Sequence, residues 1–207
     1  EYNSRYAHIE NDNFNVERLS FIDILAKKLS QDPEAVLDWL EKGFDKKDSL
    51  VYLLFPEIVK MKGCEQPKKY HSEGDVWTHT RLLFKKAKEL NIQLNPELAL
   101  AILYHDTGKP ATQKIEKLEG TTADSTEYRI TFYGHSQVSA DLFDSFARQG
   151  FLKGDSLDFE DVRRVINAHM DFMNSSKEPG PYTIKNGFPK GTFCLLYTSP
   201  SPRDQRG

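Results

Sequence analysis

Leu103-Tyr-His-Asp-Thr-Gly-Lys-Pro110 is the stretch from which the rest of the chain can be read. Its left half continues an apolar run from Pro96 that puts Leu98, Ala101, Ile102 and His105 on one helical face. Its right half carries Gly108 and Pro110, which are expected to end that helix, predicted over Pro96 to Asp106. His105 and Asp106 therefore stand side by side at a helix end, where an imidazole and a carboxylate can hold one divalent metal ion between them.

A lone histidine on an apolar face is more often a hydrogen-bonded core residue than a ligand. Here His79, His135 and His169 recur, each on the apolar side of its own segment. Asp75 to Leu90 reads as a helix with Val76, His79, Leu83, Ala87 and Leu90 on one face, capped by the Glu73-Gly74-Asp75 turn. Ser136 to Arg148 reads as another, with Val138, Leu142 and Phe146 continuing a stripe from His135, behind a Gly134-His135-Ser136 corner. Phe159 to Met170 sets Val162, Val165, Ile166 and His169 in register after an Asp158 cap, with Asp161 at the reciprocal position. Imidazoles buried in a dry interior need partners for both ring nitrogens. A shared cation beside Asp106 serves several rings and neutralises a carboxylate that could not be buried alone. The mixed imidazole and carboxylate set suits manganese, iron, cobalt, nickel, zinc or magnesium better than a thiol-selected metal or a calcium cage.

Upstream, Phe21, Leu25 and Leu29 with Ile22 and Ile24 predict a helix, and Pro33 to Lys42 a second with Asp32 as its cap. Asp48 to Val59 predicts an apolar helix interrupted at Pro56, and Met61 to Tyr70 a connection. Thr112 to Ile115 and Tyr128 to Phe132 are short β-prone runs flanking a polar loop at Gly120 to Glu127, and they predict a small hairpin.

At 207 residues and 38% hydrophobic, the chain can bury one substantial core. Its longest apolar stretch, Leu98 to Tyr104, is far below the roughly 20 residues that span a bilayer, so no membrane role is expected. Cys64 and Cys194 have neither the number nor the spacing of a disulfide scaffold, and a cytoplasmic setting is expected. A net charge of −3 argues against gripping nucleic acid by bulk electrostatics. Lys60, Lys62, Lys68, Lys69, Lys85, Lys86 and Lys88 read either as a local phosphate-contacting rim or as a solvated face. Gly108-Lys109-Pro110 has proline where a phosphate loop needs serine or threonine, which excludes an ATP site of that type. Lys109 can reach a phosphate oxygen as a point charge, or can simply sit at a helix C-terminus, where cations are attracted.

The order His79, His105-Asp106, His135, His169 resembles the HD superfamily of metal-dependent phosphohydrolases. More narrowly, Phe55-Pro-Glu-Ile, Gly63-Cys-Glu-Gln-Pro67, Glu73-Gly-Asp-Val-Trp-Thr-His79, His105-Asp-Thr-Gly-Lys-Pro110 and Phe132-Tyr-Gly-His135 resemble the HD domain of bacterial CCA-adding tRNA nucleotidyltransferases and poly(A) polymerase-like proteins. The resemblance implies an all-α helical bundle with a small β-hairpin insertion. It further implies an enzyme hydrolysing phosphomonoesters or 2′,3′-cyclic phosphates at RNA ends or on nucleotides. His79, His105 and Asp106 would be metal ligands, His135 and His169 would hold a second metal or the substrate phosphate, and Asp106 and Lys109 would be catalytic. The resemblance also implies a further metal-binding aspartate on a helix after the one bearing His169; the only nearby candidate is Asp171, and the later Asp204 lies in a tail that breaks the preceding pattern.

The resulting division is a helical segment over 1–50 packed on the core, an HD domain over 51–176, and a linker or start of another domain over 177–193. Residues 194–207 break all preceding periodicity and are read as an artefactual tail. A kinase or nucleotidyltransferase domain is the expected partner elsewhere in a longer protein. The competing reading is a non-catalytic RNA-binding or structural module.

Overall fold

The computed structural model describes residues 21–67, 74–118, 128–148 and 157–170. The expectations for 1–20, the Gly120 to Glu127 loop, Asp171, the 177–193 segment and the 194–207 tail, with Asp204, lie outside the described residues, as do Lys68 and Lys69. The described part is all-α except for one hairpin, and no helix in it is long and apolar enough to cross a membrane.

Two amphipathic helices open it, α1 (Phe21–Gln31) and α2 (Pro33–Gly43), separated by Asp32, whose carboxylate accepts from the Ala35 backbone N–H at 3.2 Å. The expected apolar helix over Asp48 to Val59 is present as two short pieces, α3 (Leu50–Leu54) and α4 (Pro56–Val59). The first piece starts two residues later than expected and is capped by Ser49, whose hydroxyl accepts from Tyr52 N–H at 3.1 Å. The Met61 connection is bound to the start of the next helix, α5 (Val76–Glu89). Val76 N–H donates to Cys64 O and Trp77 N–H to Met61 O.

Asp75 organises this junction. One carboxylate oxygen accepts from Thr78 N–H at 2.8 Å as the α5 cap, and the other accepts from Gly63 N–H at 2.7 Å. Burial pushes the Asp75 carboxyl upward, but these bonds and Lys62 outweigh it and hold the group below its ordinary 3.8. A carboxyl depressed in the folded state contributes stability that is complete above its unfolded value and lost as pH falls through the folded one. Asp75→Ala is expected to lower stability by about 1–2 kcal/mol at neutral pH. In denaturant titrations the gap from the parent should narrow as pH drops below 3.8. A gap that is constant with pH would contradict this role.

Helix α6 (Pro96–Tyr104) is the centre of the molecule. Asn95 caps it, and every residue from Leu98 to Tyr104 is buried. The single face expected from the sequence is thus a helix apolar all round, as suits one packed against α1, α5, α8 (His135–Ala147) and α9 (Phe159–Ala168). The helix also stops at Tyr104, short of Asp106. Gly108 does not end it in a left-handed conformation: its φ is −78°, and it leads into a short helix α7 (Lys109–Thr112) with Pro110 in its first turn.

Two of the expected stripes are rotated or shortened. Leu90 is exposed, because Asn91 turns the chain with φ +53° and Ile92 packs on the core instead. On α8, Val138 and Leu142 are only half-buried, and the core face runs through His135, Ser139, Ala140, Phe143 and Phe146. The expected hairpin forms between β1 (Lys114–Lys117) and β2 (Tyr128–Thr131), antiparallel with Ile115 opposite Ile130. Its first strand starts two residues later than expected because α7 occupies Thr112. Arg81 reaches Asp38 and Glu41 from α5, and Arg163 joins α9 to Asp144 on α8. Such partly exposed pairs contribute little each, so the aromatic and aliphatic core carries the packing.

Candidate metal centre

Four segments deliver their side chains to one point. His79 lies one turn into α5, and Asp75 fixes where that turn begins. His105 is the C-terminal residue flanking α6, with Asp106 next to it. His135 opens α8 behind Gly134, whose φ of +76° turns the chain into the helix without a side-chain cap. His169 follows the last turn of α9. All five are buried.

Asp106 is the hub. Its Oδ2 lies 3.1 Å from His105 Nε2, 3.8 Å from His79 Nε2 and 2.8 Å from Lys109 Nζ. Its Oδ1 lies 3.3 Å from His135 Nε2 and 3.6 Å from His169 Nε2. Burial alone would raise this carboxyl, but the electrostatic pull of the His105 and Lys109 side chains beside it and the other facing imidazoles outweigh it and hold the group well below the usual carboxylate range. It is an anion in a dry site, yet neither oxygen accepts a well-angled hydrogen bond. Its neighbours act on it by charge and proximity.

The imidazoles are turned by backbone carbonyls. The Nδ1–H of His105 donates to Ile102 O at 2.8 Å, that of His135 to Phe132 O at 2.8 Å and that of His169 to Ile166 O. A carbonyl only accepts, so each Nδ1 carries a proton and each neutral ring presents an Nε2 lone pair to Asp106. Burial lowers the His169 pKa against the pull of Asp106, which favours the neutral ring. The Nε2 atoms of His135 and His169 are 3.1 Å apart. Two lone pairs at that distance repel unless a cation lies between them and the carboxylate. This donor set, with its unsatisfied buried oxygens, fits a divalent metal. Two triads meet the spacing of a metal site, His79 with His105 and Asp106, and Asp106 with His135 and His169, and Asp106 belongs to both.

Lys109 is buried over the hub and does not solvate the end of α6, the milder of the two roles open to it in the sequence. Its Nζ donates to Gln66 Oε1 at 2.7 Å and sits 5.4 Å from the centre of the Phe132 ring. Gln66 and Ser139 are contributions that helical periodicity missed. Gln66 lies in an irregular connection, and its only signal was the Gly63 to Pro67 motif. Ser139 Oγ accepts from Gly108 N–H at 2.8 Å, joining α8 to the turn that carries Asp106. Cys64 is buried nearby, and burial pushes its thiol up to about 11, so that it is protonated at neutral pH.

A family model described as the HD domain matches residues 76–203. The chain belongs to the HD domain family. Among curated proteins this HD domain is similar to a Multifunctional CCA protein of Shewanella frigidimarina, 34% identical over 79% of the chain and 34% of that relative. It is also similar to those of Shewanella denitrificans, 28% identical over 68% of the chain and 30% of the relative, and Actinobacillus pleuropneumoniae, 41% identical over 30% of the chain and 16% of the relative. The HD domain described here thus spans about a third or less of these relatives. No solved structure matches it. The match starts at α5 and takes in His79, His105, Asp106, His135 and His169, so the converging side chains lie within the family region. Asp171 lies outside the described residues, and its place relative to the centre is not part of this geometry.

Proposed function

We propose that this HD domain is a metal-dependent phosphohydrolase acting on 2′-phosphate or 2′,3′-cyclic phosphate at RNA ends or on nucleotides. The observation that carries the reading is Asp106, an anion with both oxygens buried and unsatisfied, faced by four imidazole Nε2 atoms and an ammonium. His79, His105 and Asp106 would hold one ion, and His135 and His169, sharing Asp106, a second ion or the substrate phosphate. What a divalent ion supplies when bound is Lewis acidity toward a phosphoryl oxygen and a lowered pKa for water, from about 15.7 toward neutrality.

The chain's own residues do the rest. Ile102, Phe132 and Ile166 carbonyls fix three imidazoles so that no rotamer has to be frozen on binding. The charges of Asp106 and Lys109 cancel, so a metal-loaded centre is net positive and attracts a phosphate anion. Burial keeps that attraction strong by excluding water. Lys109, held between Asp106 and Gln66, would neutralise a non-bridging phosphate oxygen as charge builds there. The RNA-end or nucleotide substrate is supported by the likeness to proteins named Multifunctional CCA protein. The expected result is turnover of 2′,3′-cyclic AMP and 2′-AMP on addition of manganese, nickel or cobalt, abolished by a chelator. Metal-loaded protein that turns over neither these nor other nucleotides in a substrate panel would overturn the reading.

A second reading has one observation in its favour, the short share of each relative that the chain covers. In it the domain is an RNA-binding or structural module of a longer nucleotidyltransferase or RNA end-healing protein. That reading expects tRNA affinity that survives chelation and falls steeply with salt. Affinity lost with the metal would argue for the catalytic reading instead.

A further inference from the structure

Gln66 is buried to 3% exposure, and its amide is oriented by its neighbours. Oε1 accepts from Lys109 Nζ at 2.7 Å, and the same Nζ lies 2.8 Å from Asp106 Oδ2. Flipping the amide would set its NH2 against an ammonium, donor against donor, so oxygen must face Lys109 and Nε2 must point elsewhere. The segment is also pinned. Gln113 Nε2 donates to Glu65 O at 2.8 Å, and Glu65 bridges to Asp75, the cap of the helix that carries His79. Nε2 therefore has little freedom to seek a partner, and it is buried with none among the described residues.

A fixed, dry, unpartnered amide donor is unfavourable in the protein alone, and native structures rarely keep one without a ligand, water or ion to satisfy it. Its surroundings select the acceptor. It stands beside a lysine and a centre that becomes net positive with metal, so the acceptor is an anion, and a tetrahedral oxyanion offers oxygens to the lysine and the amide together. We propose that Gln66 is a substrate-binding residue, its Nε2 donating to a non-bridging oxygen of the phosphoryl group while its Oε1 holds Lys109 beside Asp106. This assignment rests on the phosphohydrolase reading.

The test is calorimetric titration of inorganic phosphate into the manganese-loaded protein, with metal content measured in parallel, for the parent, Gln66→Met, Lys109→Met and the double variant. Gln66→Met is expected to retain its metal and to bind phosphate about tenfold more weakly or worse, the usual loss for a hydrogen bond to a charged group. If the amide donates directly, Gln66→Met also weakens phosphate binding in the Lys109→Met background. A Gln66→Met effect that vanishes in that background would show that Gln66 acts only through Lys109 and would overturn the proposal. Parental phosphate affinity, or loss of metal in place of loss of phosphate, would overturn it equally. Gln66→Glu keeps an acceptor for Lys109 but replaces the donor with a charge. It should show the same loss or a larger one, and it carries the test should the methionine variant not fold; parental affinity in it sinks the proposal. A parent that binds manganese but no phosphate would bring down the phosphohydrolase reading and this assignment with it, whereas a parent that binds both alongside unaffected variants would bring down only the role of Gln66.

Discussion

Asp106→Ala is expected to lose metal and activity together, with turnover of 2′,3′-cyclic AMP falling by about a thousandfold or more, as when a residue shared by a whole catalytic unit is removed. The size follows from its position in both triads. Removing any one imidazole leaves a partial donor set, whereas removing the carboxylate takes the only anion from both. The same change leaves Lys109 buried without its counter-charge at 2.8 Å, and loss of one partner of a buried pair costs about 3–5 kcal/mol. Asp106→Asn separates the two effects, because it keeps the side-chain volume and an acceptor for Lys109 while removing the charge that binds metal. Metal content and turnover of both variants check this. Parental metal content in Asp106→Ala would contradict the hub role.

Much of this centre was legible before any coordinates, for a physical reason. His79, His135 and His169 are each in helical register with buried apolar residues, and a side chain at such a position points where its neighbours point. The helix ends around them were legible too, since Asp32, Asp75 and Asp158 do cap by accepting from backbone N–H groups. The reciprocal part of the last cap does not form, because Asp161 turns to Arg164 instead. What escaped periodicity was set by tertiary contact. α6 is apolar on every side because it is central, so its pattern could not say which face meets which neighbour. The stripe on α8 was displaced toward Ser139 because Gly108 packs against that face. Gln66 sits where no repeat exists, and its orientation depends on Lys109, 43 residues away.

Gly108 is where the sequence suggested a helix stop and the structure gives a different reason for glycine, which leads to the second large effect. A Cβ there would lie 2.4 Å from His135 O and 2.7 Å from Ser139 N, both backbone atoms of α8. Backbone in a helix cannot yield as a flexible side chain can. Gly108→Ala is therefore expected to push α7 and α8 apart at a cost of about 3 kcal/mol or more, at the upper end of overpacking. The displaced element begins with His135, so metal affinity should fall along with stability. Gly63, where an added Cβ meets nothing within 4 Å, provides the contrast: Gly63→Ala should cost only the strain of its φ of +78° and leave metal binding intact. Thermal unfolding of both variants with and without manganese checks the pair. Equal metal affinity in Gly108→Ala and the parent would mean that the α7–α8 contact does not position His135.

The central claim is that His79, His105, His135 and His169 close on Asp106 around a metal. Anomalous diffraction from crystals of the protein grown with manganese tests it most directly. The account predicts a peak coordinated by Asp106 and by Nε2 atoms of these histidines, absent from crystals of Asp106→Ala. Manganese found only at surface carboxylates, with the Asp106 oxygens satisfied by protein or water alone, would contradict it.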